Sequence, residues 1–252
     1  MSTTSLPSEP APPRGPASMS FPAVGGVAVG LVLLVLGAAT FGGLLDGVLE
    51  DDDLTTVDRP VLEWFVAHRT AWLTTALTGV TNVFGPTLLP ILVAVGCGLW
   101  WWRTRRWREP VLLVGAMLLA VGVSSVTKAI VARPRPDETS MTVPGVESTF
   151  SFPSGHTIGA ATLVLVLGYL VWSRRGGMRA LVGWVVGSVL LVALVGGSRL
   201  YLGYHFTTDV LAGAALAIAV LGVVVILDVT LPVLRERRTT AGARPGRIMG
   251  PP

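Results

Sequence analysis

The sequence predicts an all-α membrane protein with six transmembrane helices. Of its 252 residues, 51% are hydrophobic and only 13% are charged, whereas a soluble domain usually has about 25% charged residues. The mean hydropathy is +0.67. The charged residues also separate long uncharged windows, and a helix needs roughly 20 residues to cross the hydrocarbon core, with some tolerance. The length therefore fits one membrane domain with short tails.

The first element is a polar tail at residues 1–20, which is rich in Pro and Ser and is expected to be disordered and cytoplasmic. A cleaved signal peptide is not expected, because no basic region leads directly into the first apolar run. The first span follows in the uncharged window from Gly15 to Leu45. The acidic stretch at 50–53 then indicates a solvated loop.

The second span lies inside a longer uncharged window, from Thr70 to Trp102. This window is too long for one helix and too short for a comfortable pair. Gly85 and Pro86 mark a helix boundary within it. We therefore expect a mainly interfacial helix over 60–84 and the second span over about 86–102.

Four more spans occupy the uncharged windows 110–127, 157–173, 180–198 and 210–227. The six-span domain should thus cover 21–232, followed by a disordered, basic, cytoplasmic tail at 233–252. Within the fifth span, Gly183 and Gly187 form a G-x-x-x-G pattern, which is a weak signal for helix packing.

The placement of arginine predicts the orientation of the bundle, since cytoplasmic loops carry an excess of Lys and Arg. The segments WWRTRRWRE at 101–109 and SRRGGMR at 173–179 are arginine-rich, and so is the C-terminal tail. A six-span layout places all three on one side, together with the N-terminus. We expect a multi-pass protein of the inner (plasma) membrane with both termini in the cytoplasm. These clusters also explain the pI of about 10.0, so the lipid bilayer, and not nucleic acid, is the expected partner.

Polar residues at four helix ends meet on the extracytoplasmic side in this layout. Basic residues there oppose the sign preference of that side, and an anionic ligand is the simplest compensation. Ionisable residues at such a depth are functional candidates. At the ends of spans three, four, five and six stand, in order, Lys128, Ser154 to His156, Arg199, and His205 with Asp209.

The residue types at these ends suit a phosphate group. Pro153 and Ser154 predict a helix start, whose first free N–H groups attract anions. Gly155 allows an oxygen to approach the backbone closely. Arginine forks match phosphate geometry. The positive charges of the expected cradle come from Lys128, Arg135 and Arg199, with Arg133 as an auxiliary residue.

Two histidines supply candidate reacting groups. His205 and Asp209 are four residues apart, so they share a face of a helix. An Asp beside a His fixes its tautomer, which makes His205 a candidate nucleophile on phosphorus. His156 could then protonate the leaving oxygen. The remaining histidine, His68, is expected to be structural.

Three motifs in these segments resemble those of the type 2 phosphatidic acid phosphatase (PAP2) superfamily of integral membrane lipid phosphatases. The family pattern consists of Lys, six residues, Arg-Pro; then Pro-Ser-Gly-His; then Ser-Arg, five residues, His, three residues, Asp. The matching positions are Lys128 with Arg135-Pro136, Pro153 to His156, and Ser198-Arg199 with His205 and Asp209.

The resemblance implies a PAP2-type helical bundle with its site at the extracytoplasmic face, and a two-step reaction without a metal or other cofactor. It implies that His205 attacks, Asp209 orients it and His156 protonates the leaving group. The residues implied to bind the substrate phosphate are Lys128, Arg135, Ser154, Gly155 and Arg199.

The predicted function is hydrolysis of a lipid phosphomonoester or pyrophosphate through a phosphohistidine. Undecaprenyl pyrophosphate, phosphatidylglycerophosphate and phosphatidic acid are candidate substrates. An isoprenoid pyrophosphate is the first choice, because that carrier is released on the outside. The arginine-rich, lysine-poor composition suggests a GC-rich bacterial genome.

Two alternatives stay open at this point. One is a non-enzymatic anionic-lipid binding protein or transporter that uses the same phosphate cradle. The other is a metal site formed by His156, His205 and Asp209, which the nearby cations would oppose. A two-metal phosphatase would need several carboxylates around a pair of ions, and acids of the loop between spans three and four could supply them, namely Asp137, Glu138 and Glu147.

Overall fold

The computed structural model describes residues 21–50, 55–143, 145, 147 and 149–242. These residues form α-helices and one short 3-10 helix, with no strand among them, which confirms the all-α prediction. The predicted tail at 1–20 and the acidic residues 51–53 lie outside this part of the chain. The helices are α1 (Phe21–Glu50), α2 (Asp58–Ala67), α3 (Ala71–Val83), α4 (Leu88–Thr104), α5 (Arg108–Val131), α6 (Gly155–Arg175), α7 (Met178–Tyr201) and α8 (Thr207–Gly242), and the 3-10 helix is Glu138–Ser140.

Five helices, α1, α5, α6, α7 and α8, are long and apolar enough to cross a membrane, and the bent pair of α3 and α4 raises the number to six. The two helices of this pair meet at 51°. Their break contains Gly85 and Pro86, where the sequence predicted a helix boundary. The multi-pass prediction is therefore confirmed, and the bent pair of α3 and α4 is the candidate for the span that the sequence placed over about 86–102.

The segment predicted as one interfacial helix over 60–84 is two helices, α2 and α3. The backbone N–H of His68 donates to the carbonyl groups of Trp64 and Phe65 and ends α2. Thr70 is extended, with φ of −128° and ψ of 149°, so the helix cannot continue through it. The expectation of a single continuous helix was wrong at this point.

Helices α6 and α8 form the centre of the bundle. Helix α1 packs along α8, while α5 and α7 flank α6. The core between them contains fully buried apolar residues such as Val166, Leu170 and Val220. The outer helices expose large apolar side chains, including Val32, Ile130 and Leu190. Such a surface faces lipid without a free-energy penalty, since lipid tails are as apolar as leucine.

Glycines let α1 and α8 approach each other closely. A Cβ atom at Gly37 would lie 2.4 Å from the backbone nitrogen of Ala219, and one at Gly222 would lie 2.5 Å from the backbone of α1. Small residues at such positions bring membrane helices together. A Cβ atom at Gly183 or Gly187 would meet no atom within 4 Å. The predicted G-x-x-x-G pattern therefore makes no close helix contact within the described chain.

Ion pairs connect helices at the end of the bundle that carries the arginine-rich loops. Arg108, at the start of α5, pairs with Asp228 of α8 at 2.9 Å. Arg174, at the end of α6, pairs with the buried Glu109 of α5. These loops thus lie at the opposite end of α5 and α6 from Lys128 and Ser154, as the six-span layout predicted.

The last helix is longer than predicted. Helix α8 includes Pro232 and continues to Gly242, past the boundary at 232. The sequence analysis set that boundary because the basic stretch that follows was expected to be a disordered tail. The remainder of the predicted basic tail, 243–252, lies outside the described residues.

Candidate active site

Four helix ends bring the predicted site residues to one end of the bundle. Two further residues come from connections: Arg135 from the α5–α6 connection and His205 from the short α7–α8 connection. The helix ends carry Lys128 in the last turn of α5, Ser154 as the N-cap of α6, Arg199 in the last turn of α7 and Asp209 in the first turn of α8.

His205 is buried, with 1% of its surface exposed. Its Nδ1 lies 3.3 Å from Asp209 Oδ2, and its Nε2 lies 3.3 Å from Arg135 Nη1. A carboxylate only accepts and a guanidinium only donates, so the ring proton belongs on Nδ1 and a lone pair remains on Nε2. Burial lowers the pKa of His205 to about 4; Asp209 opposes this shift, and the charges of Arg199 and Arg135 add to it. The imidazole is therefore neutral at neutral pH.

Asp209 has partners besides His205. Its Oδ2 accepts a hydrogen bond from the backbone N–H of Phe206 at 2.9 Å, and its Oδ1 pairs with Arg133 Nη1 at 2.7 Å. Arg133 in turn pairs with Asp58 at 2.8 Å. The sequence analysis treated Arg133 as auxiliary and did not single out Asp58, which follows an acidic stretch interpreted as a solvated loop.

Two arginines of the expected cradle share the carboxylate of Glu147. Arg135 Nη2 lies 3.0 Å from Glu147 Oε2, and Arg199 Nη2 contacts Oε1. Partial burial alone would raise the pKa of Glu147, but the guanidinium groups of Arg199 and Arg135 more than offset burial and hold it below its ordinary value. The space between the two guanidinium groups thus accommodates an oxyanion. The sequence analysis considered Glu147 only as a metal ligand.

Arg199 is almost completely buried, with 2% exposed. Its Nη1 donates to Thr81 Oγ1 at 2.9 Å, and its guanidinium lies 4.5 Å from the ring centroid of Tyr204. Within the described part of the chain, its Nε is buried and has no hydrogen-bond partner. One donor of this guanidinium therefore remains for another group.

Lys128 holds the segment that leads into α6. Its Nζ donates to the carbonyl oxygens of Phe150 and Ser151, the latter at 3.3 Å. An ammonium group has three donors, so one remains beyond these two contacts. A direct role of Lys128 in phosphate binding stays a prediction.

The start of α6 lies against α8. Ser154 is fully buried, and its backbone N–H donates to the carbonyl oxygen of Asp209 at 3.0 Å. Its hydroxyl oxygen accepts from Thr157 Oγ1 at 3.1 Å, which leaves its own hydroxyl proton to donate elsewhere. The helix begins where predicted, although the Ser154 side chain makes no capping hydrogen bond. A Cβ atom at Gly155 would meet no atom within 4 Å, so space is open beside this backbone.

A cavity of about 570 Å³ adjoins the guanidinium of Arg199. His156 lines it, and a Cβ atom at Gly85 would lie 3.5 Å from His156 Nε2, so this ring faces the break between α3 and α4. Most other lining side chains are hydroxyl, amide or apolar groups. The uncharged polar ones are Thr78, Thr81, Asn82, Thr87, Thr142 and Tyr204, and Glu147 adds a carboxylate.

The alternative of a metal site has no support in this geometry. Among the residues that the structure describes, no three His, Cys, Asp or Glu side chains form a group that could hold a metal ion. The set of His156, His205 and Asp209 is therefore not such a group. His68 lies apart, at the end of α2. Its Nδ1 is 2.7 Å from the carbonyl oxygen of Trp64, whose ring stacks on it at 4.5 Å.

Comparisons with known proteins identify the family of the chain. A profile of the PAP2 superfamily matches residues 109–231. The chain is 33% identical over 182 residues to phosphatidylglycerophosphatase B of Bacillus subtilis, covering 69% of this chain and 85% of that protein. It is 29% identical over 172 residues to decaprenylphosphoryl-5-phosphoribose phosphatase of Mycobacterium tuberculosis, covering 65% of this chain and 79% of that protein.

Among solved structures, the chain is similar to a transmembrane PAP2-type phosphatidylglycerolphosphate phosphatase from Bacillus subtilis. The TM-score is 0.59 at 26% sequence identity, and the match covers 88% of this chain and 98% of that one. The relatives are phosphatases, which makes a non-enzymatic binding protein the wrong alternative. The chain belongs to the PAP2 superfamily and is a multi-pass membrane phosphatase.

Proposed function

We propose that this phosphatase removes the phosphate from a lipid phosphomonoester through a phosphohistidine on His205. One observation carries the proposal. A buried, neutral His205, with its proton directed to Asp209, stands beside two guanidinium groups that already hold an oxyanion. The lone pair on Nε2 and the positive charge are the two components that an attack on phosphorus requires.

In the first step, Nε2 of His205 attacks phosphorus, and the bond from phosphorus to the lipid oxygen breaks. His156, which lines the cavity, donates a proton to that oxygen. Asp209 stabilises the positive charge that develops on the ring of His205. Arg135 exchanges its contact with Nε2 for a phosphate oxygen.

In the second step, a water molecule attacks the phosphorus atom of the phosphohistidine. His156 takes the proton of this water, so its role reverses between the two steps. The bond from phosphorus to Nε2 breaks, and its electron pair returns to His205. Lys128, Ser154, Gly155, Arg135 and Arg199 are proposed to bind the phosphate oxygens in both steps.

The cavity supports a phosphomonoester with a hydroxylated leaving group. Of the described residues that line it, Arg199 is the only permanent cation, and several are threonines. A pyrophosphate would place a second anionic group there with little additional positive charge to meet it. A glycerol unit would instead find hydroxyl and amide partners. We therefore favour phosphatidylglycerophosphate over the isoprenoid pyrophosphate that the sequence analysis placed first.

Phosphate release from purified protein in detergent tests this proposal. The panel contains phosphatidylglycerophosphate, phosphatidic acid and undecaprenyl pyrophosphate. The first should give the highest kcat/KM, and a higher value for the pyrophosphate would overturn the substrate class. His205→Ala should abolish turnover and the labelled phosphoenzyme, while His68→Ala, at an exposed position outside the site, should retain both. Full activity of His205→Ala would exclude the phosphohistidine.

We also propose that the site faces the extracytoplasmic side and that both termini are cytoplasmic, as the arginine-rich loops indicate. The buried Cys97 would be replaced by Ala. Single cysteines would then be placed at Thr139, near the site, and Thr104, at the opposite end, both of which are exposed. An impermeant thiol reagent should label position 139 in intact cells and position 104 only after permeabilisation. The reverse pattern would overturn the orientation.

A further inference from the structure

A chain of buried ion pairs continues from His205 to the first extracytoplasmic loop. Asp209 Oδ1 lies 2.7 Å from Arg133 Nη1, and Arg133 Nη2 lies 2.8 Å from Asp58 Oδ2. The exposed side-chain fractions are 0% for Asp209, 14% for Arg133 and 3% for Asp58. Both carboxylates and the guanidinium between them are therefore shielded from water.

Thr208 closes this network on the side of α8. Asp58 Oδ1 accepts from the backbone N–H of Thr208 at 2.9 Å, and Asp58 Oδ2 accepts from its hydroxyl at 2.6 Å. Arg133 Nη1 donates to the same hydroxyl oxygen at 2.7 Å. Asp58, at the start of α2, therefore holds both Arg133 and the residue that precedes Asp209.

The two oxygens of Asp209 have different partners. Its Oδ2 faces His205 Nδ1, while its Oδ1 is occupied by Arg133. Because both oxygens have partners, rotation of the carboxylate is restricted, and the lone pairs of Oδ2 stay directed at the His205 ring. Arg133 also compensates a buried negative charge that a neutral imidazole cannot compensate.

Arg133 is itself held in place by more than charge. Its guanidinium lies 4.5 Å from the ring centroid of Phe206, a residue of the same α7–α8 connection as His205. Burial would lower the pKa of Arg133, but Asp209 and Asp58 outweigh burial and raise it. Its charge is therefore permanent, and its planar fork meets the two carboxylates with two separate nitrogens in a fixed geometry, which the compact ammonium of a lysine does not reproduce.

We infer that Arg133 and Asp58 are positioning residues for catalysis: Arg133 orients Asp209, and Asp58 orients Arg133. Arg133 and Asp58 act through Asp209 on His205 and do not touch the substrate. The inference rests on the proposed role of His205 as the nucleophile. It assigns a function to α2, since Asp58 connects the first extracytoplasmic loop to the reacting group.

The test is a double-mutant cycle on kcat, with Arg133→Ala, Asp58→Asn and the double variant. Partners that orient metal-bound histidines cost about 10- to 100-fold in activity when they are removed, and by analogy we expect kcat to fall by this range in Arg133→Ala. KM and the inhibition constant of inorganic phosphate should change by less than about threefold, because the phosphate contacts remain. The loss in the double variant should be far smaller than the product of the two single losses, because Asp58 acts mainly through Arg133 and only its contacts with Thr208 are independent of it.

Matched controls separate this role from a general effect on folding. Arg59→Ala and Glu63→Gln alter exposed charges of α2, the helix that carries Asp58, and should leave kcat unchanged. Arg133→Lys, which keeps the charge but not the fork, should recover only part of the loss. If Arg133→Ala does not fold, Arg133→Lys replaces it in the cycle.

Several outcomes would overturn the inference. They are a normal kcat in Arg133→Ala, a loss confined to KM or to phosphate inhibition, and multiplicative losses in the double variant. His205→Ala is measured in parallel. Retained turnover in that variant would instead remove the proposed nucleophile, so the two failures are distinguishable.

Discussion

Glu147→Gln should make the phosphatase bind inorganic phosphate more tightly. In the structure, the Glu147 carboxylate contacts the same two guanidinium groups, Arg135 and Arg199, that are proposed to receive the substrate phosphate. The side chain is 19% exposed and belongs to the connection between α5 and α6. A phosphate must therefore displace an anion of the protein itself before it binds.

The magnitude follows from the contacts that are lost. A hydrogen bond to a charged group contributes about 1.5–3 kcal/mol net, and Glu147 makes one to each arginine. The loss of one such bond, about 1.5 kcal/mol at the lower end of this range, changes the population of the open form by roughly tenfold, and the apparent dissociation constant varies with the inverse of that population. Glutamine keeps one carbonyl acceptor, so we expect about tenfold tighter inhibition by phosphate, near the lower limit.

The assay is competitive inhibition of turnover by inorganic phosphate in detergent. Glu138→Gln is the matched control, because it removes an exposed charge from the same connection and should leave the inhibition constant unchanged. An unchanged constant in Glu147→Gln would refute the competition. A higher inhibition constant would show instead that Glu147 organises the two arginines for the substrate.

Three further predictions concern titration, packing and charge. The NMR titration of His205 should have its midpoint near pH 4, since burial lowers its pKa to about 4. The native state should therefore lose stability as pH falls from about 6.5 towards 4, because the unfolded chain binds the proton first. A midpoint near 6.5 would contradict the buried, neutral ring. Gly37→Leu should lower the free energy of unfolding by about 1–3 kcal/mol through overpacking, and so lower the Tm, because its Cβ would lie 2.4 Å from the backbone of Ala219. Gly42→Leu should leave the Tm unchanged, because a Cβ there meets no atom within 4 Å. Arg199→Lys should lower kcat/KM by about 10²- to 10³-fold, as expected for loss of one electrostatic stabiliser, and near-normal turnover would exclude Arg199 from the cradle.

The helices were predictable because their signal is local. Uncharged windows reveal each long span directly, and the break at Gly85-Pro86 is a property of two adjacent residues. The division between α2 and α3 was missed, since it depends on the extended backbone of Thr70 and not on composition. The length of α8 was underestimated, because the basic residues after 232 were interpreted as a disordered tail, whereas the helix continues through Pro232 to Gly242.

The motif residues of the site were also predictable, since they stand at fixed spacings at the ends of spans. Their supporting residues were not. Asp58 and Arg133 are 75 positions apart in the chain, and nothing local shows that they meet. Glu147 stands in a connection whose acids look solvated when they are considered one at a time. Only the fold shows that each of these charges has a buried partner of opposite sign.

The contact between α1 and α8 has a consequence for biosynthesis. Among the described spans, α1 is made before the others and packs on α8, which is made after them, and the close approach at Gly37 is to the backbone of Ala219. Helix α8 also carries Asp209 and Thr208, the second partner of Asp58. During synthesis α1 therefore stays without its packing partner until the other described spans have been inserted. A nascent chain that stops before Thr207 lacks both this partner and Asp209, so the helix that closes the bundle also completes the site.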